Sequence, residues 1–185
     1  IQHIKYARGG QPIRKWVKTW DQIARKHQLT QQFKDPSEFY DIVLKQAKAK
    51  IAEGKFDSIT FLWMQGERDA KTGLAAAYEE SMKTLIASLR RDLETPKMNF
   101  VIGRLCDHLT HDQWNAVRNA QVKVANDDPK GAWADTDDTN DKERNGKTWN
   151  DLHYTAKGYE LFGRRLARQA VKLLKGETPD PTGRP

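Results

Sequence analysis

Ile59-Thr-Phe-Leu-Trp-Met-Gln-Gly-Glu-Arg-Asp-Ala70 changes character in its middle: an apolar run ends at Met64, and a glutamine, a glycine and charged side chains follow at once. A short apolar run bounded in this way reads as a buried strand whose carboxyl end delivers polar groups to a surface. This run spans residues 58–64, and comparable runs lie at 1–7, 98–105 and 131–135. Longer segments with helical spacing separate and follow them. The clearest covers residues 74–93, where Tyr78, Met82, Leu85, Ile86, Leu89 and Leu93 form one stripe at steps of three and four. A second helix is expected between the capping sequence Asp35-Pro-Ser37 and Gly54, a third after His111, and a fourth after Thr155 with Phe162, Leu166, Ala170, Val171 and Leu174 inward. Strands alternating with helices predict an α/β fold, a three-layer α/β/α sandwich around a parallel sheet.

In such sheets ligands collect beyond the carboxyl ends of the strands. Gly9-Gly10 follows the first run, Gln65-Gly-Glu67 the second and Arg104 to His108 the third, so all three are expected on one rim. His153, just before the last helix, can reach it. The 185 residues suit one domain, assigned to 1–175. The tail 176–185, rich in proline and polar residues, is expected to be mobile.

The formal charge of +7 makes a polyanionic partner conceivable, but basic residues sit among acidic ones without a block of like charge, so a solvated surface is favoured over nucleic-acid binding. A single cysteine, Cys106, excludes an intramolecular disulfide and a cysteine-based zinc site, and its place after an apolar run suits a small core residue. No apolar stretch is long enough to span a bilayer.

Four blocks carry a resemblance over nearly the whole chain. They are Ile4-Lys-Tyr-Ala-Arg-Gly-Gly10 followed by Trp16 or Trp20, Trp63-Met-Gln-Gly-Glu-Arg-Asp69, Val117-Arg118 with Gln121, and Asp151-Leu-His153 with Gly158 and Gly163-Arg164. Together they resemble the SGNH hydrolases, in the sialate O-acetylesterase branch that includes carbohydrate esterase family six. The resemblance implies the flavodoxin-like SGNH fold and removal of acetyl groups from sugars by a serine nucleophile, with no metal or organic cofactor. Export from the cytoplasm, to the periplasm or outside, is implied by the family's substrates alone.

The chemistry assigns roles. His153 has the side chain suited to take a proton from a hydroxyl and return it to a leaving alcohol near neutral pH. A carboxylate usually orients such a histidine. The family places that acid three residues earlier, where Asn150 stands, whereas Asp151 lies two before; either Asp151 or a backbone carbonyl orients the ring. Gly10 and Gln65 match the oxyanion donors by resemblance, with Gly9 the choice if the register slips by one. Glu67 cannot donate when ionised and is expected to brace the loop or hold substrate hydroxyls, as is Arg104. Arg68 stands where many relatives carry serine.

The family's nucleophile belongs to an earlier glycine–glutamine–serine block. Ser37 reads as a helix cap, Ser58 as a strand start, and Ser81 and Ser88 as helix residues, so none of the four serines substitutes. The chain is therefore expected to be the carboxy-terminal portion of a catalytic domain, inactive by itself, with the first strand and nucleophile in a missing amino-terminal segment of the same protein. The catalytic reading is an O-acetylesterase acting on acetylated carbohydrate; the alternative is a silent carbohydrate-binding module of the same fold.

Asp135-Thr-Asp-Asp-Thr-Asn-Asp141 has alternating oxygens but lacks the glycine and glutamate of a calcium loop, at Asn140 and Gly146, so a solvated loop is expected. His108 and His111, with Asp107 and Asp112, lack the glutamate of a zinc-protease helix. Core packing is the default for Trp114, Trp133 and Trp149.

Overall fold

The computed structural model describes residues 1–29 and 38–185. In chain order its elements are α1 (Trp20–Lys26), α2 (Glu38–Ala52), β1 (Thr60–Trp63), α3 (Glu67–Lys71), α4 (Tyr78–Asp92), β2 (Asn99–Gly103), α5 (Asp112–Asn126), β3 (Gly131–Ala134), β4 (Asp141–Arg144), β5 (Lys147–Asn150) and α6 (Ala156–Lys175). Three of the four apolar runs become a parallel sheet in the order β1-β2-β3, with Phe61 beside Phe100 and Ile102 beside Trp133. Parallel neighbours need crossovers. Here α4 joins β1 to β2 and α5 joins β2 to β3.

The alternation of side chains sorts β2 into two cores. Phe100 and Ile102 face the larger one, with Tyr78, Met82, Leu85 and Leu89 of α4, Val117 of α5 and the tryptophans Trp16, Trp20 and Trp63. Val101 faces the smaller one with Ala132 and Leu173, beneath α6. That gives the expected three layers. The strand β1 lies at an edge: among the described residues no strand pairs with its other side, and Leu62, in register with Val101 on the α6 face, is 51% exposed. Among the described residues no helix is long and apolar enough to cross a membrane.

Helix ends follow local chemistry. His111 caps α5 by accepting from Trp114 N (3.3 Å), Thr155 caps α6 by accepting from Gly158 N (2.9 Å), and Gly176 ends α6 at φ +73°. The expected stripe of α4 is buried, although its first turn, Ala75–Ala77, is a 3-10 helix. The cap expected at Asp35-Pro-Ser37 lies outside the described residues.

Four expectations are corrected. Residues 1–7 form no strand: Ile1 and Ile4 are exposed, and Tyr6 alone packs inward, its ring 5.5 Å from Phe39, so the segment has no sheet neighbour to satisfy its backbone. Val171 and Leu174, expected inward on α6, are 47% and 56% exposed, because the buried stripe runs through Phe162, Arg165, Gln169 and Leu173 instead; residues 13–26, on which the sequence pattern is silent, hold a 3-10 turn (Ile13–Trp16) and α1. The tail does pack. Buried Gln169 bonds both backbone groups of Asp180 (2.9 and 3.0 Å), Gly183 O accepts from Asp135 N (2.9 Å), and Gly183 lies on the Trp133 ring. A buried amide side chain can thus dock a polar, proline-rich segment.

The aspartate-rich segment is likewise no solvated loop, because Thr136, Thr139 and Asn140 are fully or almost fully buried and arginines take the carboxylates of Asp135, Asp137 and Asp138. Arg104 donates to Asp135 and Asp137 (both 2.6 Å), Arg118 to Asp137 (2.7 and 2.9 Å), Arg165 to Asp138 (2.5 and 2.7 Å), and Arg184 to Asp135.

Candidate active site

The loop after β1 is fixed from within. Tyr78 donates its hydroxyl proton to Gln65 O (2.6 Å), and burial holds that phenol well above its ordinary pKa, so it remains a donor. Gln121, fully buried, donates to Gln65 O (2.9 Å) and accepts from Leu105 N (2.8 Å), joining the loops that follow β1 and β2. Gly66 lies between them at φ +152°, and a Cβ there would sit 2.8 Å from Val117 Cγ1. Only glycine allows this approach. Glu67 accepts from Gly66 N (3.0 Å).

The amino-terminal segment is lashed to the same loop. Arg68 Nε donates to Gly10 O (2.8 Å), Gln65 Nε2 donates to Gln11 O (2.9 Å) and to Asp69, and Ile13 N donates to both Asp69 oxygens (3.0 and 3.2 Å). Gly9-Gly10 therefore reaches the rim through side-chain clamps rather than as the end of a strand, with Gly10 at φ +66° and open space around Gly9. Arg68 supplies one clamp. Asp69 is completely buried, and that burial pushes its carboxyl up to about 7 against the hydrogen bonds from Gln65 and Ile13. Sequence reading assigned Asp69 no role, although it sat in the quoted block. Both N–H groups of Gln65 are engaged, and its Oε1 is buried without a partner.

Across the rim, His153 presents a side chain that is 74% exposed. Its Nδ1 lies 3.7 Å from Asp151 Oδ1, and its backbone N–H donates to the same oxygen (2.8 Å). With Lys142 3.0 Å away on the other oxygen, these contacts hold Asp151 down to about 2, so it is a carboxylate across the physiological range. Asn150 is tied by Asn140 on one side and Asp107 on the other, each at 2.6 Å. The His153 segment also touches the strand ends: Cys106 Sγ lies 4.0 Å from the carbonyls of Asp151 and Leu152, and the Tyr154 hydroxyl 3.5 Å from Met64 Sδ. The structure thus gathers Gly10, Gln65 and Glu67 on one flank and Asp151 with His153 on the other.

Arg104 belongs to neither flank. Its guanidinium stacks 4.9 Å from the Trp133 ring and donates to buried Asp135 and half-buried Asp137. Burial pushes the Cys106 thiol up to about 11, which keeps it an unreactive core group. Ser81 is fully buried, Ser88 lies on α4, Ser58 precedes β1, and Ser37 is outside the described residues, so no described serine adjoins His153. His111 is a helix cap, and among the described residues no group of three or more His, Cys, Asp or Glu could hold a metal ion.

Signals for the flanking parts were present in the sequence. Asn145-Gly146 joins β4 to β5 with both residues left-handed (φ 53° and 70°), the strongest short-range mark of a tight hairpin. That hairpin carries the chain into Asp151 and His153.

A family model described as carbohydrate esterase, sialic acid-specific acetylesterase, matches residues 1–172. Among solved structures, a chain titled as a novel carbohydrate acetylesterase from Xanthomonas citri matches at TM-score 0.59 and 22% identity, over 92% of this chain. The match spans 36% of that protein's length. No curated protein matches the chain.

Proposed function

Because the chain belongs to the carbohydrate esterase family of sialic acid-specific acetylesterases, we propose that it forms part of a serine esterase that releases acetate from O-acetylated carbohydrate. The observation that carries this reading is His153, exposed beside a carboxylate on the same strand-end rim as the clamped Gly10–Gln65 loop. A serine hydroxyl attacks the acetyl carbonyl while His153 takes its proton, and the imidazolium then protonates the departing sugar oxygen. Water, deprotonated by His153, hydrolyses the acetyl-enzyme to acetate. The Gly10 amide and Gln65 Nε2 receive the oxyanion, Gln65 exchanging its bond to Gln11 for one to the substrate. The serine comes from another segment of the same protein, docked along the free edge of β1, where Leu62 is uncovered.

A second reading keeps the fold as a silent carbohydrate-binding module, and the lack of a described serine beside His153 favours it. An intact mass spectrum before and after a fluorophosphonate probe decides between them. A labelled serine in the full-length protein, together with acetate release, supports the esterase. An unlabelled, inactive full-length protein rejects it in favour of the module.

A further inference from the structure

We infer that the β4–β5 hairpin is a glycan-gripping arm beside His153, in which Trp149 stacks on a pyranose ring while Arg144 and Lys147 hold a carboxylate of the same sugar chain. The tryptophans supply the first observation. Five of the six are at most 7% exposed, and the sixth, Trp149, is 42% exposed. An indole left in water presents a flat apolar face that the C–H face of a sugar can cover while its hydroxyls stay hydrated.

The register supplies the second. Lys142 pairs with Trp149 and Arg144 with Lys147, so these four side chains share one face, while Asp141, Glu143, Thr148 and Asn150 share the other. No position of β5 is buried, so this ribbon has no core of its own to serve. Lys142 is spent on Asp151 (3.0 Å), whereas Arg144 and Lys147 form no ion pair among the described residues. One face thus combines an open indole with two uncommitted cations, and the opposite face is acidic or neutral. Charge complementarity selects a uronic-acid-type chain over a neutral one for the basic face.

Position supplies the third. Trp149 and Lys142 both face Asp151, which bonds the His153 amide. A glycan lying on this face therefore runs directly toward His153. The inference rests on the carbohydrate reading proposed above, but its binding can be measured without catalysis.

The test is calorimetric titration of the full-length protein with an oligogalacturonide and with its methyl-esterified, uncharged counterpart. The wild type should prefer the acidic sugar. Trp149→Ala should weaken binding of both by about tenfold, the upper range of one lost aromatic contact, and Trp149→Phe should retain most of it. Arg144→Gln/Lys147→Gln, at exposed positions that leave folding intact, should reduce the acidic sugar to the affinity of the esterified one. No measurable binding by the wild type, unchanged binding in Trp149→Ala, or a preference that survives the double substitution would each overturn the inference, the last by assigning it to the general positive surface. Acetate release from an acetylated oligosaccharide is scored separately, so an inactive wild type that still binds through Trp149 rejects the esterase and leaves the arm standing.

Discussion

On one flank of the rim, Gln65 and Asp69 are 8% and 0% exposed, and their polar groups are tied to Gln11, Ile13, Tyr78 and Gln121. On the other flank, the His153 side chain is 74% exposed and hangs between a polar hairpin and the cap of α6. The first flank is held from within: its side chains cannot move without breaking buried hydrogen bonds, the Gln65–Gln11 bond among them. The second is presented to solvent and can adjust to what it meets. Under the proposed roles, the two flanks divide the chemistry as their burial divides them, the fixed groups on one side and the exposed imidazole on the other.

The sharpest way to break this contrast is His153→Ala in the full-length protein. Acetate release should fall by ~10³–10⁴-fold, while stability to urea stays within about 0.5 kcal/mol because the side chain is exposed. Retained turnover would remove His153 from the chemistry. On the buried flank the pattern should reverse toward stability: Gly66→Ala should cost about 3 kcal/mol, from a Cβ forced onto Val117 in a left-handed backbone. Gly9→Ala, with nothing within 4 Å, is the control and should be close to neutral. Equal unfolding midpoints for the two variants would show the loop is not closed as described.

Asp69 allows a pH test. Its carboxyl is raised by burial from 3.8 to about 7, with Arg14 and the two hydrogen-bond donors opposing the shift. Between those values the folded protein binds a proton that the unfolded chain has released. The contribution is therefore fully present below about pH 4 and is lost as pH rises through about 7. Asp69→Asn should flatten that part of the stability profile; an identical profile would mean the group titrates normally. The smallest effect belongs to the exposed flank. Gly146→Ala, at φ 70°, should cost about 1 kcal/mol locally, seen as faster amide exchange in β4 and β5 with an unchanged global melting midpoint. A global loss would make the hairpin part of the cooperative core.

The candidate site divides along the same line in its legibility. Gln65, Glu67 and His153 are legible as candidates because each sits in a contiguous block that carries the family resemblance. The role of Asp69 did not, since its partner Ile13 is 56 positions away and no local pattern marks the pair. Arg104 was visible as a rim residue, yet the aspartates that claim it follow 31 and 33 positions later. The hairpin carried its own mark in Asn145-Gly146.

By itself the sequence determined the parallel strands β1 to β3, the helices α4 to α6, and the family. Each rests on periodicity, a capping residue or a contiguous motif, and these act over a few residues. The tertiary structure alone decided that residues 1–7 leave the sheet, that Gly10 is clamped by Arg68, that the tail docks through Gln169 and that Trp149 stands in the open. Those outcomes depend on which distant side chain satisfies a backbone group or covers a ring, and such pairings arise only once the chain has closed on itself.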